Sequence, residues 1–210
     1  MYTLSARTYC TDSDDNKYPG NYWDQQYQDR VGTSPTPSIP PLLSQSSKTS
    51  AISDHLTHTD SEGKADMVDV SNKSPTIRLA KATATVYLGE KAYNLTKLNQ
   101  LAKGDVLPVA RVAAISGAKR TSDLIPYCHN ISLSKVSVQF IMNDEDFSIT
   151  IYTEAKTVGV TGVEMEALTA ASLAALTIYD MTKAVSHNII ISNIKLLHKR
   201  GGKATYNTSG

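Results

Sequence analysis

Residues 156–185 read KTVGVTGVEMEALTAASLAALTIYDMTKAV, and between Glu166 and Asp180 this stretch carries no charged side chain. Its alanine- and leucine-rich middle has helical composition and scarcely a polar face, so the helix must be covered on nearly every side. Its charged groups lie at the ends: Glu164 and Glu166 at one, Asp180 and Lys183 at the other. A buried rod of this kind delivers chemistry at its tips. Thr161-Gly162-Val163-Glu164 fits a capping box, with the Thr161 hydroxyl meeting the Glu164 amide and the Glu164 carboxylate reaching back. At 100° per residue, Glu166, Ala170, Leu173, Thr177, Asp180 and Ala184 share one stripe, and Lys183 lies one turn beyond Asp180. Asp180 and Lys183 are therefore expected to touch. On an exposed helix such a pair is a weak solvated ion pair, but at the margin of a buried rod it reads as a site.

The chain has 210 residues and a net charge of +1, so no global charge points to nucleic acid, and any basic site must be local. Residues 1–56, rich in Ser, Pro and Asp, contain GTSPTPSIPPLLSQSSKTS and show no helical or strand period. They read as a disordered leader or linker, and residues 57–210 as the domain. Within the leader, NYWDQQYQ is either spacer or a short recognition segment. Cys10 and Cys128 fall one in the leader and one in the domain, which argues against a disulfide framework. No apolar run approaches the roughly 20 residues that span a bilayer. The first eleven residues hint at a transit peptide, whereas Asp12, Asp14 and Asp15 spoil the acid-poor pattern, and targeting stays open.

In the domain, Ala82, Ala84, Val86 and Leu88 alternate with polar residues from Ala80 onward, predicting a half-buried strand. Residues 91–100 predict a short helix. A second helix follows Asp105 as N-cap, with Pro108 in its tolerant first turn and Pro126 as its far limit. Val136, Val138, Phe140 and Met142, then Phe147, Ile149, Ile151 and Thr153, predict a hairpin turning at Asn143–Asp146. NIIISNIKLL predicts a closing strand, and HKRGGKATYNTSG a basic, glycine-broken tail. The order strand, helices, strand, strand, helix, strand predicts an α+β fold, a ferredoxin-like βαββαβ sandwich with an antiparallel sheet. Strands this rich in Val and Ile, covered on one face by helices, predict a second subunit over the other face.

The cations Arg78, Lys103, Lys119, Arg120, Lys183, Lys199 and Arg200 stand at element ends beside Glu164, Glu166, Asp123 and Asp180, a balance that suits a polyphosphate. No P-loop or Rossmann glycine motif is present, so lysines must bind the phosphates. Clustered lysines are expected to depress one another's pKa until one serves as base or acid. Cys128-His129 lacks companions for a closed zinc site. His129 is read as a proton donor or hydrogen-bonding contact.

These blocks also carry a resemblance. THTDSEGKADMVDVS, KGDVLPVARVAAISGAKRTSDLIPYCH, TGVEMEALTAASLAALTIYDM and the KxGGK-like end, over about residues 57–203, resemble the cyclic pyranopterin monophosphate synthases of molybdenum-cofactor biosynthesis. The resemblance implies a lyase that converts 3′,8-cyclo-7,8-dihydro-GTP into cyclic pyranopterin monophosphate with release of diphosphate, with no bound metal or redox cofactor. It implies a hexamer, a trimer of dimers, with sites where subunits meet, and no nucleic-acid or membrane partner. Carried over by motif, Asp180, Lys183 and Lys103 are catalytic. Tyr127, Cys128, His129, Glu164, Met165, Glu166, Arg78 and Lys199 contact substrate, Arg78 and Lys199 on the triphosphate side. Thr182 stands where the family usually has Cys, Tyr127 replaces a common Leu, and the ATYNTSG tail departs from the usual ending. The leader, foreign to bacterial relatives, implies a linker remnant or an address to the mitochondrial matrix in a eukaryote; without a eukaryotic host the expectation is cytoplasmic. Two rivals are an RNA-binding module, which lacks the exposed strand aromatics it needs, and a regulatory domain, which leaves Asp180 and Lys183 unexplained.

Overall fold

The computed structural model describes residues 64–208; the expectations for the leader lie outside the described residues. From Met67 onward these residues belong to one compact unit. Its elements are β1 (Thr76–Tyr87), α1 (Glu90–Lys97), α2 (Val106–Lys119), α3 (Thr121–Leu124), β2 (Lys135–Asn143), β3 (Ser148–Gly159), α4 (Glu164–Thr182), β4 (Ile190–Arg200) and β5 (Tyr206–Asn207). The sheet order is β2-β3-β1-β4-β5, and every neighbouring pair is antiparallel. This is the predicted α+β sandwich with one short strand added at the β4 edge.

The sheet receives α4 on a row of small side chains. Ala80, Ala82, Ala84 and Val86 of β1 and Ile149, Ile151 and Ala155 of β3 are fully buried, as are Ala167, Ala170, Ala171, Ala174 and Ala175 of α4. Alternation along each strand puts these residues on one face, and small residues on both partners let the helix lie close. A buried polar bond crosses the seam, where the Thr153 hydroxyl donates to Ala167 O at 2.7 Å. Beside α4 runs α2, whose Gly117 leaves no room for a side chain: a Cβ there would meet Leu173 Cδ1 at 2.3 Å.

Several expectations are corrected. Val163, not Thr161, precedes α4, and no side chain caps that helix; the Glu164 carboxylate turns instead to a lysine, where a charge offers more than a backbone amide. Asp105 does occupy the N-cap of α2, without a side-chain cap bond. β1 starts at Thr76 rather than Ala80. Phe147 adopts φ 53 and belongs to the hairpin turn. The face of the sheet away from the helices is mixed rather than uniformly apolar. In register across it stand Lys81 and Glu154, then Thr83 and Tyr152, with Lys81 Nζ 3.5 Å from Glu154. Val86, Ile149 and Ile151 point inward, whereas Ile77 and Val158, paired in register, and Ile190 stand exposed on the open face.

Candidate functional site

The two ends of α4 hold two separate charged clusters. At the C-terminal end, the Lys183 ammonium lies 2.7 Å from Asp180 Oδ1. The Lys103 ammonium donates to Asp180 Oδ2 at 2.9 Å and to the Asp180 main-chain oxygen at 2.7 Å. Lys103 precedes the left-handed Gly104 (φ 92) and the start of α2, so the turn before α2 delivers it to the tip of α4. Asp180 is bracketed by two cations on a partly exposed surface. Its carboxyl is held down to about 2, by Lys183 first and Lys103 second. The same carboxylate raises the Lys183 pKa. This corrects the expected mutual depression of the lysines: in the unliganded chain a carboxylate sits between the ammonium groups and its attraction outweighs their repulsion.

At the N-terminal end, the Lys199 ammonium pairs with Glu164 Oε1 at 3.0 Å. Lys199 lies opposite Ala80 in the register, on the face that receives α4, which is why it can reach the first residue of that helix. Arg78, two residues earlier on β1 and on the same face, donates through Nε to Gly159 O at 3.2 Å and through Nη2 to Val160 O at 3.1 Å. A cavity of about 190 Å³ opens here, lined by Arg78, Lys199, Arg200, Lys203 and, as its one acid, Glu164. Lys203 ends the KxGGK-like stretch of the basic tail but was not among the residues the sequence assigned to the site.

The remaining predicted residues gather near the first turn of α4. Glu166 is 3 % exposed, and burial, with help from the Glu164 charge, pushes its carboxyl up to about 7. The Cys128 thiol is pushed up by burial first and by the Glu166 charge second, so the loop after α3 approaches this turn. His129 lines a second cavity of about 390 Å³ with Val70, Thr157 and Thr161. Tyr127 and Met165 are exposed at 45 % and 36 %. Thr182 is fully buried and returns its hydroxyl to Ile178 O at 2.7 Å, facing away from the chemistry of its neighbour Lys183. Among the described residues no group of three or more His, Cys, Asp or Glu could hold a metal ion.

Sixteen residues separate Glu164 from Asp180, and at a rise of about 1.5 Å per residue the two clusters lie roughly 24 Å apart along the helix. One chain brings together Asp180, Lys183 and Lys103, and separately Glu164, Lys199 and Arg78. It does not bring the two sets together.

A sequence model of the MoaC family matches residues 67–202. The chain is 58% identical over 151 residues, 72% of its length, to molybdenum cofactor biosynthesis protein 1 of Drosophila melanogaster, and covers 27% of that protein. It is 47% identical over 180 residues to the mitochondrial cyclic pyranopterin monophosphate synthase of Arabidopsis thaliana, covering 86% of this chain and 67% of that one. Against the cyclic pyranopterin monophosphate synthase of Heliobacterium modesticaldum it is 52% identical over 151 residues, 72% of this chain and 95% of the relative. The chain thus spans about a quarter of the animal relative's length and nearly all of the bacterial one's.

Proposed function

The chain belongs to the MoaC family, and from that premise we propose that it is a cyclic pyranopterin monophosphate synthase of molybdenum-cofactor biosynthesis. It converts 3′,8-cyclo-7,8-dihydro-GTP into cyclic pyranopterin monophosphate with release of diphosphate. The observation that carries the reading is the Lys103, Asp180, Lys183 cluster, in which residues from two elements converge on one carboxylate at 2.7–2.9 Å. Closing a cyclic phosphate on a hydroxyl needs a group to take that hydroxyl's proton and cations to hold the charge gathering on the departing diphosphate. Lys103 and Lys183 move the protons, and Asp180 orients both. Asp180 keeps Lys183 protonated until substrate arrives, so this amine starts as a donor.

The phosphates belong at the other end of the helix, among Arg78, Lys199 and Glu164, and the pterin ring beside the Tyr127, Cys128, His129 loop, Met165 and Glu166. A nearly neutral, buried Glu166 can exchange hydrogen bonds with a ring amide without a charge penalty. Because the two clusters are too far apart for one substrate, the site takes one helix end from each of two chains, and the protein is a homo-oligomer, a trimer of dimers. The mitochondrial matrix is the proposed location in a eukaryotic cell, in keeping with the mitochondrial synthase of Arabidopsis.

The test is Lys183→Arg, which keeps the charge but holds its proton too tightly to pass it on. Turnover of the cyclised dihydro-GTP should fall at least about 100-fold with binding nearly intact. Retained diphosphate release would remove Lys183 from proton transfer.

A further inference from the structure

We propose that Arg78 acts first as a positioning residue that builds the cation-lined cavity, and that the Lys203 ammonium is the further group there that meets the polyphosphate. The proposal rests on the reading above that this end of α4 takes the phosphates.

A guanidinium presents its N–H groups in a fixed planar fork. Arg78 has spent one edge of that fork: Nε and Nη2 are bonded to Gly159 O and Val160 O, the carbonyls that end β3 and lead into α4. Its Nη1 faces Gly202, where a Cβ would stand only 3.1 Å away, so a glycine there leaves that side of the guanidinium room. Gly201 sits at φ +92, and a Cβ there would meet Ile77 O at 1.9 Å. The Thr76 hydroxyl donates to Gly201 O at 2.8 Å. The first residues of β1 thus hold both walls of the cavity, the β3–α4 connection on one side and the Gly-Gly turn on the other.

The other cations differ in what they have left to offer. Lys199 is already paired with Glu164. Arg200 lies opposite Leu79 and so starts from the other face of the sheet. Lys203 is exposed, lines the cavity, and makes no hydrogen bond or ion pair among the described residues. Its turn is fastened behind it. Lys199 pairs with Tyr206, and Thr208 donates from its amide to Leu197 O at 2.9 Å. An uncommitted ammonium on a pinned turn, at the mouth of a cavity holding four cations and one acid, is built to take a polyanion.

The experiment uses the full chain and inorganic pyrophosphate, titrated calorimetrically at several salt concentrations, with melting temperature and turnover measured on each variant. Lys203→Ala should weaken pyrophosphate binding about tenfold or more and lower the salt slope by about one charge, with melting unchanged; Lys203→Arg should restore most of it. Arg78→Lys and Arg78→Ala should lose binding equally and melt lower, because a lysine cannot fork between two carbonyls. Wild-type binding in Arg78→Lys alongside loss in Arg78→Ala would make Arg78 a direct phosphate ligand and overturn its half of the proposal. Unchanged binding in Lys203→Ala would overturn the other half. A wild-type chain that turns substrate over yet shows no pyrophosphate binding sensitive to these residues sinks this inference and leaves the synthase reading standing. The expected binding pattern without turnover does the reverse.

Discussion

Asp180 holds two ammonium groups at once, and that is what a change at this residue should reveal. Asp180→Asn keeps the shape and removes the charge, so steady-state kinetics should show turnover down at least about 100-fold with KM unchanged or lower, since the substrate is itself an anion. A raised KM with normal turnover would place Asp180 in binding instead. Glu166 gives a prediction about stability. Its carboxyl is raised from 4.5 to about 7 in the folded chain, so folding binds its proton more tightly than the unfolded state does. The stabilisation is complete below about 4.5 and lost as pH rises toward 7. Melting temperatures of the wild type should therefore fall relative to Glu166→Gln between pH 4.5 and 7.5; parallel curves would contradict it. The Asp180 and Lys183 pair was legible because three residues on a helix is a contact distance. Lys103, 77 residues away from its partner, was one candidate cation among seven, and only the family resemblance set it beside Asp180 and Lys183 as catalytic. The ion pair of Glu164 was hidden because a local pattern, the capping box, offered its carboxylate a partner that the fold replaced with Lys199.

Strong alternation made β1, β2 and β3 readable, and an apolar run with charged ends made α4 readable, because each buries one repeating set of side chains. What was illegible has no period. β5 has two residues and exists because β4 offers an edge; the bulges of β4 between its pairings with Lys81 and Thr85 leave no trace in hydropathy. Packing sets two tests at this scale. Thr153→Val removes the bond from β3 to α4 and should cost about 1 kcal/mol in denaturant unfolding. Gly201→Ala forces a Cβ into a positive φ and against Ile77 O, costing about 1–3 kcal/mol. No loss in the second variant would mean that the turn can shift and does not wall the cavity.

For the molecule as a whole, the length of α4 governs the account. A helix of 19 residues separates the Asp180 cluster from the Glu164 cluster by more than the proposed substrate could bridge, which is the ground for the proposal that each site draws on two chains. The open sheet face mixes Lys81, Thr83, Tyr152 and Glu154 with the exposed Ile77 and Val158. The proposal of a second copy rests on the helix tips. The most direct test mixes two inactive variants, Asp180→Asn and Lys199→Ala, unfolds and refolds them together, and measures diphosphate release. If each site takes one helix end from each chain, random assembly should return about a quarter of wild-type activity, since one site in four draws both intact ends. Activity no greater than that of the two variants refolded separately would contradict it.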